Sequence, residues 1–143
     1  MIKAESSIVI NKSPAEIFAF ATNAETAPQW QGGVEAVIPD GPPNVVGSKY
    51  TEVRKFMGQE MKSVLEIVAF EMDSKWAAKV LEGPVPYTVT IIFTAEGSGT
   101  KMDTTVEGEP KGFFKIAGGM LESQLTKSLQ EDSERLKKLL EGG

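Results

Sequence analysis

The middle of the chain alternates between apolar and polar residues with a period of two. Five stretches carry this alternation: Ser48–Met57, Glu60–Phe70, Ser74–Leu81, Tyr87–Ala95 and Thr100–Glu107. A period of two sends one set of side chains to a core and the other to solvent, the signature of a half-buried strand. The breaks between the stretches are short and rich in turn formers: Gly58-Gln59, Met72-Asp73, Gly83-Pro84-Val85-Pro86 and Gly97-Ser98. Connections this short join antiparallel neighbours, because parallel strands need a long crossover. Ile2–Ile10 and Val34–Ile38 add two upstream strands, which makes about seven.

The period changes on either side of this run. Ser13-Pro14-Ala15-Glu16 combines a capping Ser, Pro at the first helical position and Glu three residues after the cap, the residues that satisfy and tolerate a helix start. A short helix with Ile17, Phe18 and Phe20 on its apolar surface follows. Thr22-Asn23-Ala24-Glu25 offers a second capping box for another short helix, which Pro28 is expected to end.

Near the other end, Phe113, Ala117, Leu121, Leu125, Leu129, Leu136 and Leu140 recur at helical spacing. They predict one long amphipathic helix over Phe113–Leu140 with a single buried stripe. At 1.5 Å per residue it would be roughly 40 Å long, so the stripe must lie across a broad sheet. A curved sheet gripping such a helix can enclose a cavity. Gly118-Gly119 interrupts the stretch at a cost of about 1 kcal/mol per Gly relative to Ala. Either the helix bends there, leaving Phe113 to Ala117 as a movable lid, or it starts only after Gly119.

Tight turns fix the sum of residue numbers across each hairpin, so one face can be followed from strand to strand. A Gly58-Gln59 turn sets Phe56 opposite Met61, Arg54 opposite Ser63, Glu52 opposite Leu65 and Tyr50 opposite Ile67. The next turn sets Ile67 opposite Ala78 and Leu65 opposite Val80. Across the Pro-containing turn Val80 meets Val89, Ala78 meets Ile91 and Trp76 meets Phe93. Across Gly97-Ser98, Phe93 meets Met102, Ile91 meets Thr104 and Val89 meets Val106. The other face, with Thr51, Lys55, Lys62, Glu66, Lys79, Thr88, Lys101 and Asp103, reads as solvated in spite of Val53, Val64 and Phe70.

The inward face is rich in aromatic residues and carries two charges, Glu52 and Arg54, where the pattern calls for apolar side chains. A buried unpaired charge costs several kcal/mol, so the two must pair, reach a rim or hold something polar. The candidate ligand-contacting residues on or beside the sheet are Trp30, Tyr50, Glu52, Arg54, Phe56, Leu65, Trp76, Tyr87, Val89, Ile91, Phe93 and Thr104. On the helix they are Phe113, Ala117, Met120 and Leu121. The plainer reading of the aromatic residues is core packing.

Composition removes several chemistries. The chain of 143 residues has no Cys and no His, so thiolate nucleophiles, Ser-His-Asp mechanisms and His- or Cys-ligated metals are excluded. No metal or cofactor is expected. A net charge of −5 argues against nucleic acid, which demands clustered Lys and Arg. No apolar run resembles a signal peptide or a membrane span, so stable membrane insertion is not expected and a cytoplasmic location is. The oligomeric state is left open.

Strand, two short helices, a run of antiparallel strands and a long final helix, in that order, resembles the helix-grip fold of the START/Bet v 1-like (SRPBCC) superfamily. Within it the chain is similar to polyketide cyclase/dehydratase and lipid-transport proteins. The resemblance covers essentially all 143 residues as one α+β domain. It is carried by Ile8-Val9-Ile10 before Ser13-Pro14-Ala15-Glu16-Ile17-Phe18, by Trp30, Val46-Gly47-Ser48 and Gly99-Thr100-Lys101-Met102, and by the closing Leu136-Lys137-Lys138-Leu139-Leu140-Glu141. It implies binding of a small, mainly hydrophobic molecule such as a lipid, polyketide or quinone between sheet and helix; the two charges found on the inward face, Glu52 and Arg54, would then be its polar anchors. It also leaves open a cyclase or dehydratase in which Glu52 is the general base and Arg54 or a Tyr hydroxyl holds an enolate. A third reading is a protein-interaction module without a ligand.

Overall fold

The computed structural model describes residues 2–42, 44–56, 58–109 and 118–142, and of Phe56 the backbone. Seven strands form one antiparallel sheet: β1 (Ile2–Ile10), β2 (Val34–Asp40), β3 (Lys49–Phe56), β4 (Gln59–Glu71), β5 (Lys75–Glu82), β6 (Tyr87–Glu96) and β7 (Gly99–Gly108). Their order across the sheet is β1-β7-β6-β5-β4-β3-β2. Helices α1 (Pro14–Ala21) and α2 (Ala27–Trp30) connect β1 to β2, and the long α3 (Gly118–Gly142) follows β7. This is the expected helix-grip arrangement.

Local chemistry accounts for the connections. The Ser13 side chain accepts from the Glu16 N–H and donates to its carboxylate, with Pro14 in the first turn of α1. At the second predicted box the cap is Asn23, not Thr22: Asn23 accepts from the Glu25 N–H, while the Thr22 hydroxyl bonds back to the Phe18 carbonyl at 2.7 Å. Pro28 does not end a helix. It sits in the first turn of α2, where its missing N–H has no intrahelical partner to lose.

The β6–β7 register matches expectation, with Phe93 opposite Met102, Ile91 opposite Thr104 and Val89 opposite Val106. Two other hairpins are offset by two residues, which preserves the faces while changing the neighbours. In β3–β4, Phe56 pairs with Gln59, so Arg54 faces Met61, Glu52 faces Ser63 and Tyr50 faces Leu65. Gly58 therefore comes last before Gln59, at φ 75°; a two-residue turn favours Gly at its second position rather than its first. In β5–β6, Ala78 faces Val89 and Trp76 faces Ile91. The ladder stops short of the loop there because Pro84 and Pro86 have no N–H to extend it.

The β4–β5 hairpin differs in kind. Glu71 pairs with Lys75, a three-residue loop, and a one-residue irregularity between Ile67 and Ala69 restores the expected Ile67–Ala78 and Leu65–Val80 pairs. Loop and bulge offset one another, so the inward face is kept for most of β4 and exchanged near the turn. Phe70, expected on the solvated face, consequently pairs with Trp76 and packs edge-on against Phe18 at a centroid distance of 5.2 Å.

Helix α3 lies along β1 and is tied to it at several points. Ser133 and Ser6 share a hydroxyl bond of 3.2 Å, Lys137 donates to the Val9 carbonyl, and Glu141 accepts from the Asn11 N–H, the last two at 2.7 Å. The expected helix from Phe113 is described from Gly118 onward. Phe113, Ala117 and any bend before Gly118 lie outside the described residues.

Buried apolar side chains among the described residues gather in three clusters. One lies under α1 around Phe18, Phe93 and Met102; a second joins Ile2, Met61, Val85 and Leu121; a third joins Leu65, Ala78 and Val80. Between them the sheet and α3 leave a cavity.

Candidate functional site

Alternate residues of the middle strands supply one wall of this cavity, because side chains at i, i+2 and i+4 share a face. β3 contributes Tyr50, Glu52 and Arg54; β4 contributes Met61, Leu65 and Ile67; and Trp76, Tyr87, Val89, Ile91, Thr104 and Val106 come from β5 to β7. α2 supplies Trp30, and α3 supplies Leu121, Leu125, Leu129, Asp132 and Ser133 at helical spacing. The cavity has a volume of about 160 Å3. It reaches solvent beside Asn23, Pro39 and Lys49, the exposed residues of its lining.

Most residues singled out from the sequence thus meet around one space: Trp30, Tyr50, Glu52, Arg54, Leu65, Trp76, Tyr87, Val89, Ile91, Thr104 and Leu121. Two do not. Phe93 packs into the core against Phe18 at 5.2 Å, because α1 covers that end of β6. Met120 is 62% exposed: it is one residue, about 100°, from the buried Leu121 and so points off the helix stripe. The Phe56 side chain, Phe113 and Ala117 lie outside the described residues.

Glu52 and Arg54 form a two-pronged pair. Arg54 Nε donates to Glu52 Oε1 at 2.9 Å and Nη2 donates to Oε2 at 3.3 Å, with a longer bond of 3.5 Å from Nη2 to Gln31 Oε1. No described bond runs through Nη1. The pair sits deep, with side-chain exposures of 17% for Arg54 and 8% for Glu52. Burial alone would lower the pKa of Arg54, but the negative field of Glu52, assisted by Tyr87, outweighs it and raises the value. Burial, followed by the charge of the Glu52 carboxylate, holds the Tyr87 phenol well above its ordinary pKa. Burial does the same to Tyr50. Both phenols therefore remain protonated across the physiological range and can donate.

A second polar group comes from α3. Asp132 Oδ1 accepts from the Gly32 N–H at 2.8 Å and from Arg135 Nη1 at 3.2 Å, and Arg135 Nη1 also donates to the Trp30 carbonyl at 2.7 Å. These bonds fasten α3 to the turn after α2 at the cavity wall. Burial raises the Asp132 pKa, opposed by the Gly32 bond and by the charges of Arg54 and Arg135. Asp132 and Ser133 are not among the residues singled out from the sequence. Their signal is a gap in the apolar stripe between Leu129 and Leu136, where helical spacing calls for apolar residues.

Two buried donors beside the cavity are unmatched. The indole Nε1 atoms of Trp30 and Trp76 are buried and have no hydrogen-bond partner among the described residues. An unsatisfied buried donor costs about 1–3 kcal/mol. The described residues contain no cluster of acidic side chains able to hold a metal ion. No helix among them is long and apolar enough to cross a membrane.

The fold is shared with solved structures of low sequence identity. A START superfamily protein from Mycobacterium smegmatis superposes with a TM-score of 0.82 at 14% identity, covering 99% of each chain. A protein from Thermus thermophilus gives a TM-score of 0.82 at 16% identity, covering 95% of this chain and 94% of the other. Ara h 8.0201 gives 0.75 at 11% identity, covering 99% and 98%. No curated protein sequence matches the chain. The family model described as polyketide cyclase / dehydrase and lipid transport matches residues 1–141. A match over nearly the whole chain is more than a shared outline of strands and helix: the chain belongs to the polyketide cyclase / dehydrase and lipid transport family.

Proposed function

We propose that the protein binds a compact, mainly apolar small molecule in the cavity between the sheet and α3, with Arg54 and Glu52 orienting its polar end. The observation that carries this reading is the convergence of apolar side chains from all seven strands and α3 on a space of about 160 Å3 that holds one buried ion pair. Ligand pockets combine a largely apolar lining with a few placed polar groups in this way. A hydrophobic ligand is also what the family's description, polyketide cyclase / dehydrase and lipid transport, leads one to expect.

Binding is favoured over base catalysis because both Glu52 oxygens already accept from Arg54, so the carboxylate serves first to hold the guanidinium. The open volume favours binding over a protein-interaction module, whose interior would be filled. Native mass spectrometry of freshly purified protein, followed by identification of any released small molecule, tests the proposal. A retained apolar compound, or thermal stabilisation by added hydrophobic compounds, is the expected result. The absence of both would overturn it.

A further inference from the structure

Two cavity-lining side chains from different walls meet at one turn. Arg54 on β3 donates from Nη2 to Gln31 Oε1 at 3.5 Å, and Asp132 on α3 accepts from the N–H of the next residue, Gly32, at 2.8 Å. Each feels the charge of the other, yet among the described residues the ion-pair partner of Arg54 is Glu52 and that of Asp132 is Arg135. The turn thus holds a guanidinium and a carboxylate side by side without joining them.

Each of the two keeps one atom unused. The bonds of Arg54 run through Nε and Nη2, and those of Asp132 through Oδ1. Arg54 Nη1 and Asp132 Oδ2 hold no described bond, and neither is sealed off: the fully buried side-chain atoms without a partner among the described residues are the Trp30 and Trp76 indole nitrogens. Asp132 is only 7% exposed, and the space left to both open atoms is the cavity that Arg54 and Asp132 line.

An open donor beside an open acceptor favours some head groups over others. A ketone serves Nη1 and leaves Oδ2 without a partner. A hydroxyl must bring both partners onto one oxygen, whereas an amide presents acceptor and donor on separate atoms, as the two walls do. Charge narrows the choice further. A carboxylate placed here would face Glu52 as well as Asp132, and an ammonium would face Arg54 and Arg135, so a neutral group is preferred. A space of about 160 Å3 suits a body of one or two rings, since a dry cavity of similar size accepts benzene.

Resting on the binding function proposed above, we infer that Asp132 is a specificity-determining residue: with Arg54 it receives a neutral amide-type head group, a carboxamide or lactam whose oxygen accepts from Arg54 Nη1 and whose N–H donates to Asp132 Oδ2.

The test is a matched set of naphthamide, acetylnaphthalene, naphthylmethanol and naphthoate, titrated into the intact protein by calorimetry in mildly alkaline buffer, which keeps Asp132 ionised. Naphthamide and acetylnaphthalene have nearly the same shape and differ in carrying an amino or a methyl group on the carbonyl. The amide is expected to bind roughly 10-fold tighter, the effect of one hydrogen bond to a charged group. Asp132→Asn retains an acceptor for the Gly32 N–H and turns the open acceptor into a donor, so it should abolish or reverse that preference while acetylnaphthalene stays bound. Uniform weakening of all four compounds by this variant would make Asp132 a fastener of the turn and overturn the assignment. The wild-type set alone decides the matter if the variant fails to fold. Equal affinity for amide and ketone, or tightest binding by naphthylmethanol or naphthoate, overturns the head-group assignment and leaves the binding function standing. No binding by any member overturns both.

Discussion

Arg54 Nε lies 2.9 Å from Oε1 of Glu52, its neighbour two residues back on the same face of β3. Removing one partner strands the other charge in a poorly solvated place, whereas replacing both with apolar residues removes the cost together with the attraction. Arg54→Met and Glu52→Leu are each expected to destabilise the protein by about 3 kcal/mol, and the double variant by much less than the sum. Urea denaturation of the three variants measures this coupling. Additive losses would show that the two side chains do not depend on one another.

Asp132 makes a pH-dependent contribution of unusual sign. Its folded pKa is raised above the ordinary value of 3.8, chiefly by burial. The folded state thus holds the proton more tightly than the unfolded chain, and stability from this group falls as pH rises through the interval above 3.8. Asp132→Asn removes that dependence while keeping an acceptor for the Gly32 N–H. The variant is therefore expected to gain on the wild type as pH rises above about 4. Denaturation curves across that range check it; a wild type that gains on the variant as pH rises contradicts it.

Gly33 is held at φ 82°, and a Cβ there would run into the Lys55 carbonyl. The Lys55 N–H in turn bonds the Gly33 carbonyl at 2.8 Å. This contact locks the end of α2 against β3 and so positions Trp30 near Arg54. Gly33→Ala should cost at least 1–3 kcal/mol and weaken ligand binding as well. Thermal unfolding tests the first effect, and titration with a hydrophobic compound that stabilises the wild type tests the second.

Adjacent positions on α3 provide a control for burial. Leu121→Ala is expected to cost about 2–5 kcal/mol, as for a buried Leu. Met120→Lys should change stability by less than about 0.5 kcal/mol. Exposures of 1% and 62% underlie the contrast. Similar losses at both positions would place Met120 against a surface.

Filling the void should separate folding from binding. Val89 lines the cavity from β6, and Val89→Phe would extend a ring into the open space. The fold should tolerate it within about 1 kcal/mol, because added volume is costly only where packing is already tight. Affinity for hydrophobic probes that stabilise the wild type should drop at least tenfold. Unimpaired binding would mean that the probes sit elsewhere.

How far the sequence reveals this arrangement depends on the turns. Gly97-Ser98 closes a simple hairpin, and every β6–β7 partner follows from it. Taking Gly58 as the first turn residue, although its positive φ suits the second, displaces the β3–β4 partners by two. The faces survive because the side-chain period is also two. Phe70 is misplaced from sequence because the extra residue near Val68 leaves no local mark; it is a response to the three-residue loop beyond it. The Glu52–Arg54 pair is visible as a break in strand alternation. Asp132-Ser133 breaks the helical stripe in the same fashion but is easily passed over, since leucines on both sides are enough to define a helix. Met120 misleads for the opposite reason: an apolar residue beside the stripe passes for one within it.

The sheet joins its first strand to its seventh, with Ile2 paired to Gly108, and both residues line the cavity. That seam links segments far apart in the chain, and contacts of high sequence separation form slowly because loop closure must precede them. A hairpin core from β3 to β7 can assemble by neighbour-to-neighbour pairing, but it has no closed interior until β1 docks on β7 and α3 settles along β1. The compartment is thus a late product of folding. A chain halted before that step would possess the sheet and most of its aromatic wall, yet have nothing to hold a guest.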